Sequence, residues 1–221
     1  VSRHGCTPAY PSLAELDFFL DRGVIRPDLR NDAQLEQVHW ATNRQGRMGG
    51  DWSTMRVFAF DHRGQLEDMP GYTLEKGGAF KELCLAAALK VADGQAGYGI
   101  LCDNRIGRRA LHAASGTGLW IGRPCEWPGS RPLQLEPELG ADCGGLEAWA
   151  REDVVKVLCF CHPDDDAGMR AAQEATVRRL FEASRRNGLE FLLEVIPSKV
   201  GPVDDMTTAR LIEQFYAIGV Y

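Results

Sequence analysis

Short apolar runs alternate with longer segments of helical periodicity from about residue 55 onward. Apolar runs of about four to eight residues between turn residues are typical of buried strands, and amphipathic segments of more than about ten residues are typical of helices. The pattern predicts strands at Val57–Phe60, Tyr98–Cys102, Leu119–Gly122, Val154–Cys161 and Glu190–Ile196, with a sixth starting at Ala217. It predicts helices at Phe80–Ala92, Arg108–Ala114, Gly168–Asn187 and Asp205–Tyr216.

Regular alternation of strands and helices indicates an α/β fold with a parallel sheet covered by helices. Two architectures fit, an open doubly wound sheet and a (β/α) barrel. Polar residues follow nearly every predicted strand at its carboxyl end, where barrel enzymes build their active sites. Open sheets also bind ligands at this edge, but the pattern favours the barrel.

Residues 1–50 have a different pattern. Ser12 is a suitable N-cap, with Glu15 at the capping-box spacing and apolar residues at helical spacing after it. A second short helix is predicted at Asp32–Trp40, and the Gly- and Arg-rich segment Asn43–Asp51 is typical of a linker. We expect residues 1–50 to pack outside the sheet.

Composition narrows the functional classes. A net charge of −6 argues against nucleic acid as a partner. No apolar segment approaches the roughly 18 residues of a membrane span, and no signal peptide opens the chain. The seven cysteines include no C-x-x-C pair, which favours reduced thiols and a cytoplasmic location.

Lys156 lies inside the apolar run Val154–Cys161, and lysine is rarely buried without a partner or a function. In an apolar pocket its pKa falls, and the neutral amine can attack a carbonyl or carry a proton. Strand residues alternate faces, so Glu194 and Asp61 can share the face of Lys156. We expect these three side chains to converge in one cavity at the carboxyl ends of the strands.

Such a cavity would suit a retro-aldol cleavage, in which a lysine activates a carbonyl and a carboxylate takes the hydroxyl proton. Three structural alternatives stay open. Lys156 could be a solvated edge-strand residue, or it could form a purely structural ion pair with Glu194. Asp61 could be a turn or N-cap carboxylate.

Other polar residues carry weaker signals. His62 and His162 lack the spacing to a third ligand that a metal site needs, so no metal is expected. No glycine-rich phosphate-binding fingerprint is present, and no cofactor is expected. Arg123 and Arg131, after the third strand, could bind a carboxylate or phosphate of a substrate, with surface salt bridges as the alternative.

Several segments resemble known proteins. Val1–Ala9 resembles the end of a ribokinase-like sugar kinase that phosphorylates 5-dehydro-2-deoxygluconate in bacterial inositol breakdown. In many proteobacteria that kinase is fused to a C-terminal domain, which the rest of the chain resembles. The segments that carry the resemblance are Phe58–Leu66, Leu119–Pro124, Pro128–Leu133 and Lys156–Asp165. This domain is in turn similar to class I tagatose-bisphosphate aldolases, which are (β/α)8 TIM barrels that cleave a phosphorylated ketose through an imine.

The resemblance implies roles for individual residues. Asp61 and His62 match an aspartate–glutamine pair after strand one, with histidine here in place of glutamine. Lys156 matches a strand-four lysine that assists catalysis, and Glu194 matches the strand-five glutamate. The imine lysine of the family lies on strand six, which would come directly after Tyr221. The chain would then be a fragment without turnover of its own, with exposed strand edges that favour self-association.

The implied organisation is a kinase tail and linker over residues 1–50. Residues 51–221 would hold about the first five to six β-α units of the barrel. The implied activity is an aldolase that cleaves 5-dehydro-2-deoxygluconate 6-phosphate to dihydroxyacetone phosphate and malonate semialdehyde, in myo-inositol catabolism. The expected partners are this phosphorylated sugar acid and the covalently linked kinase. Two alternatives remain: the parent protein is a 5-dehydro-2-deoxygluconokinase that acts through its kinase half, or the barrel is a non-catalytic regulatory or oligomerisation module.

Overall fold

A single parallel sheet forms the centre of the computed structural model, which describes residues 54–198, 200–204 and 206–220. Its five strands pair in the order in which they occur along the chain. They are β1 (Arg56–Ala59), β2 (Tyr98–Leu101), β3 (Trp120–Pro124), β4 (Asp153–Cys161) and β5 (Glu190–Pro197). The predicted parallel α/β sheet is therefore confirmed.

Helices connect the strands except between β3 and β4, where a loop with two short 3-10 helices (Pro137–Leu139 and Gly144–Ala148) makes the connection. Side chains cap three of the α-helices. The α-helices are α1 (Gly64–Glu67), α2 (Leu74–Ala92), α3 (Asn104–Ala114), α4 (Ala167–Arg186) and α5 (Thr207–Ala217). Thr73, Asp103 and Asp166 accept a hydrogen bond from a backbone N–H of the first turn of α2, α3 and α4, respectively. These caps satisfy donors that have no partner within the helix and fix where each helix starts after its strand.

The strands have one face toward the helices and one face toward the inside of the curled sheet. On the helix side, Val155, Val157 and Cys159 of β4 pack with Val177 and Leu180 of α4. A second core joins α2 and α3 to β1–β3. The result is an α/β half-barrel arrangement, which is compatible with part of a TIM barrel. The closed eight-stranded barrel remains a prediction.

The strand register assigns residues to the inner face. Pro124 pairs with Lys156, and Lys156 with Leu192, so these three positions lie side by side on one face of the sheet. Two residues further toward the carboxyl ends, Leu158 pairs with Glu194. Partners in a parallel ladder point to the same side, so Lys156 and Glu194 share the inner face.

The end of α5 corrects one prediction. The sequence pattern predicts a sixth strand from Ala217 onward, but Ala217 is the last residue of α5 and Ile218 is its C-cap. Gly219 has a φ of 81°, and the N–H of Val220 donates to the carbonyl of Phe215. This is a Schellman closure, in which glycine takes the left-handed conformation and an apolar residue folds back on the helix.

Two predictions concern parts of the chain that the structure does not reach. The proposed kinase tail and linker, residues 1–50, lie outside the described residues, and so does any strand after Val220. Among the helices within the described residues, none is long and apolar enough to cross a membrane.

Candidate functional site

Lys156 lies on the inner face of β4 with only 3% of its surface exposed. Its ammonium group faces three carboxylates. The Nζ atom is 2.9 Å from Glu194 Oε2, 3.3 Å from Asp61 Oδ2 and 4.0 Å from Glu126 Oε1. We call Lys156, Asp61, Glu126 and Glu194 the lysine cluster.

Each member of the lysine cluster is held by a different part of the sheet. Asp61 follows β1 by two residues, and Glu126 follows β3 by two residues, so both extend the inner-face alternation beyond their strands. Glu194 lies within β5. The carboxyl ends of parallel strands meet at one edge of the sheet, and this topology brings together residues that are far apart along the chain.

Electrostatics keep the lysine charged. Burial alone lowers the pKa of Lys156, but the negative charges of Glu126 and Asp61 and the hydrogen bond to Glu194 outweigh it, and the net direction is upward. The sequence-based expectation of a burial-lowered pKa and a neutral nucleophile is therefore wrong for this environment. The amine is an ammonium at neutral pH, suited to stabilising negative charge or donating a proton.

Glu126 has further partners besides Lys156. One carboxylate oxygen, Oε2, accepts a hydrogen bond of 3.0 Å from the backbone N–H of Leu158, and the other forms an ion pair with Arg63. Arg63 also donates to the backbone carbonyl of Glu126 at 2.8 Å and to Glu136 at 3.0 Å. Burial raises the pKa of Glu136 although Arg63 opposes this. Glu126 is thus fixed on both oxygens.

The lysine cluster opens to solvent on one side. The Glu194 side chain is 44% exposed and that of Asp61 13%, whereas those of Lys156 and Glu126 are nearly inaccessible. A small molecule could therefore reach the ammonium past Glu194.

Below the lysine cluster the inner face is mostly apolar, with one buried carboxylate, Glu190, which accepts a 3.2 Å hydrogen bond from the Trp120 indole. Trp120, Val154, Leu101 and Leu192 pack together there. A Cβ on Gly122 would collide with Leu101 and Trp120, so this position needs glycine for close packing. The side chains packed below the cluster keep its surroundings largely apolar, which strengthens electrostatic interactions within it.

A cavity of about 650 Å³ adjoins the cluster on the far side of Arg63. It lies between the starts of α2 and α3 and the loop after β3, and Arg63, Asp103, Glu136 and Pro124 are among the residues that line it. Its walls carry both positive and negative charges. Lys156 is not among its lining residues, so this cavity is a neighbour of the lysine cluster and not the space above it.

Comparison with protein families gives one match. The family model described as "Uncharacterized protein conserved in bacteria (DUF2090)" matches residues 15–221. The chain belongs to the DUF2090 family. No curated protein matches the chain.

Among the residues predicted in this DUF2090 chain, Asp61, Lys156 and Glu194 are brought together. The structure does not bring the His62 imidazole to them. His62 is exposed, and its backbone carbonyl accepts a 2.9 Å hydrogen bond from Lys81.

Arg123 has a position that does not support a role in substrate binding. It pairs in register with Val155, on the helix-facing side of the sheet. Its guanidinium donates to Asp153 at 2.7 Å and stacks 3.7 Å from the centroid of the Trp149 ring. Burial raises the pKa of Asp153, although Arg123 partly offsets this. Arg123 serves packing on the outer face.

Arg131 lies at the carboxyl edge of the sheet and forms an ion pair with Asp165 in the turn after β4. Asp165 in turn accepts from the backbone N–H of His162 at 2.9 Å. His162 is buried, with Nε2 3.0 Å from the carbonyl of Pro202 and Nδ1 accepting from the N–H of Asp164. Within the described residues, no group of three or more His, Cys, Asp or Glu side chains could hold a metal ion.

Sequence reasoning misses Glu126 and Arg63. The sequence pattern ends the third strand at Gly122 and predicts a loop after it. In the structure β3 continues to Pro124, so the alternation Trp120, Gly122, Pro124 points directly to Glu126 on the inner face. A longer strand assignment would have revealed it.

Proposed function

We propose that this domain is an aldolase-type lyase that cleaves a phosphorylated sugar acid, 5-dehydro-2-deoxygluconate 6-phosphate, to dihydroxyacetone phosphate and malonate semialdehyde. The observation that supports this proposal most is the lysine cluster: a buried ammonium on the inner face of a parallel sheet, with three carboxylates within 4.0 Å. The resemblance to class I aldolases supplies the reaction class.

The proposed cleavage breaks the bond between C3 and C4 of the substrate. The C3 hydroxyl loses its proton, its oxygen becomes the aldehyde of malonate semialdehyde, and the bonding electrons pass to C4, next to the C5 carbonyl. Protonation of C4 then gives dihydroxyacetone phosphate. Glu194 is the proposed proton acceptor because it is the most exposed carboxylate beside Lys156.

Lys156 is assigned an assisting role. Its raised pKa keeps it protonated, and a protonated amine cannot attack a carbonyl. The ammonium would instead stabilise the negative charge that develops on the substrate oxygens during cleavage. Imine formation at C5 is assigned to a different lysine, as in the resembled family.

The charge balance supports catalysis over a purely structural ion pair. Lys156 faces three carboxylates, and among the residues that the structure describes only Glu126 has a further cationic partner, Arg63. One carboxylate would suffice to neutralise a buried lysine, and isolated ion pairs contribute little net stability. The excess of carboxylates suits a site that both holds a charged lysine and accepts a proton.

The test is a retro-aldol assay on the protein, expressed with whatever sequence follows Tyr221 in its gene, with enzymatic detection of dihydroxyacetone phosphate. Lys156→Met and Glu194→Gln are each expected to reduce kcat by about 10²-fold or more. Lys90→Met, which removes an exposed lysine of α2, is the matched control and should leave kcat unchanged.

Borohydride trapping with substrate tests the role of Lys156 separately. Lys156→Met should still form a trapped adduct, because the imine forms elsewhere. Loss of trapping in this variant alone would make Lys156 the imine lysine and overturn its assisting role. A folded wild-type protein without turnover or trapping would refute the aldolase proposal and leave the non-catalytic module.

A further inference from the structure

Lys81 of α2 is a second buried lysine, and the lysine cluster does not include it. Its side chain is completely inaccessible to solvent. The ammonium forms an ion pair with Asp103, two residues after β2, and donates to the backbone carbonyl of His62 at 2.9 Å. A fully buried lysine destabilises the fold unless it is paired. Here the Lys81 ammonium links α2 to the residues that follow β1 and β2.

Asp103 is fixed in the same arrangement. Its second carboxylate oxygen accepts a 2.6 Å hydrogen bond from the N–H of Ile106 and so caps α3. A Cβ on Gly107 would collide with Cys102 and press on Lys81, which shows how little free space surrounds the pair. Neither partner can move without disturbing a helix start or the core.

The tripeptide Asp61-His62-Arg63 links this pair to the lysine cluster. Asp61 accepts from Lys156 at 3.3 Å, and Arg63 holds Glu126. Lys81 donates a hydrogen bond to the backbone carbonyl of His62, the residue between Asp61 and Arg63. The position of the Asp61 carboxylate thus depends on the adjoining residue, whose backbone carbonyl accepts the hydrogen bond from Lys81.

We propose that Lys81 is a positioning residue that holds Asp61 against Lys156 through the His62 carbonyl. Its importance for turnover rests on the proposed function, but the positioning itself does not. Asp61, Glu126 and Glu194 are the carboxylates that face Lys156 in the described part of the chain. If Lys81 is lost, Asp61 moves away, and Lys156 loses one of its three negative neighbours.

The sign of the effect separates positioning from direct electrostatics. Removing the positive charge of Lys81, with Asp103 left negative, would raise the pKa of Lys156 if nothing moved. Displacement of Asp61 lowers the same pKa. The two mechanisms therefore predict opposite shifts, and a purely stabilising role for Lys81 predicts no downward shift.

The experiment measures the pKa of Lys156 by NMR of the labelled lysine side chains, assigned with Lys156→Met. Lys81→Met is expected to lower it relative to both the wild type and Lys90→Met. If Lys81→Met does not fold, the neutral pair Lys81→Met/Asp103→Asn is used, since asparagine still caps α3. In an Asp61→Asn background, removal of Lys81 should cause no further fall.

An unchanged or raised pKa of Lys156 in the folded Lys81 variants would overturn the positioning role. A fall that persists in the Asp61→Asn background would also overturn it, because Lys81 would then act through another group. These readouts do not require turnover. Absence of aldolase activity in the wild type would refute the proposed function and leave this result standing.

Discussion

Replacement of Lys156 by methionine should destabilise the fold, and the structure indicates by how much. Methionine keeps the length of the side chain but removes the ammonium that faces three carboxylates. Glu126 retains Arg63 and the N–H of Leu158, and the largely exposed Glu194 can be hydrated by water. Asp61, with its side chain 13% exposed, bears most of the cost.

Breaking a buried ion pair by removing one partner costs about 3–5 kcal/mol. Because two of the three carboxylates keep other means of stabilisation, we expect a loss of about 2–3 kcal/mol in the free energy of unfolding for Lys156→Met at neutral pH. The measurement is urea denaturation followed by circular dichroism, with Lys90→Met as the control. Lys156→Met/Asp61→Asn should recover a large part of the loss.

If Lys156→Met were as stable as the wild type at neutral pH, or if Asp61→Asn gave no recovery, the carboxylates would not be left uncompensated. The reasoning from the lysine cluster would then be refuted.

Two further predictions follow from the same contacts. The raised folded-state pKa of Lys156 means that its stabilising contribution is complete below the unfolded lysine pKa of about 10.4 and is lost as the pH rises through the folded value. Above neutral pH, the stability difference between wild type and Lys156→Met should therefore shrink only in strongly alkaline solution. A decrease between about pH 7 and 9 would contradict this assignment. Arg123→Met should lower the free energy of unfolding by about 1–3 kcal/mol, because buried Asp153 loses its cation. The same change should leave KM for the proposed substrate unchanged. A rise in KM in a stable Arg123→Met variant would instead indicate that Arg123 binds substrate.

The sheet and part of the lysine cluster are predictable from sequence because they depend on local periodicity. An apolar run fixes a strand, and its two-residue alternation fixes the face, so the sequence pattern alone places Lys156 and Glu194 on one side of the sheet. Asp61 follows by extending the same alternation beyond β1. For these residues, position along the chain is enough to assign the face of the sheet on which they lie.

The missed and misplaced residues depend on where strands end. The predicted third strand ends at Gly122, and proline disfavours a longer one, yet β3 extends to Pro124. The glycine at position 122 on the inner face leaves room there for Leu101 and Trp120. That extension puts Glu126 on the inner face and Arg123 on the outer face. The carboxyl-terminal error has a similar cause, since Ile218-Gly219-Val220 is apolar like a strand but is held by the helix closure described above.

Sequence alone does not determine the charge state of Lys156. Burial and neighbouring carboxylates push its pKa in opposite directions, and the outcome depends on three distances between residues far apart in the chain. Glu126, which contributes the strongest upward effect, is absent from the sequence-based site. The expected neutral amine follows from burial alone.

The in-order sheet has a consequence for how the protein is made on the ribosome. Each strand pairs with the strand synthesised just before it, so the sheet can grow in the direction of translation without waiting for distant segments. Asp61, Glu126 and Lys156 can meet once β4 has been added. Glu194, the most exposed carboxylate of the cluster, is synthesised last, with β5. It then pairs with a Lys156 side chain that β4 has already positioned.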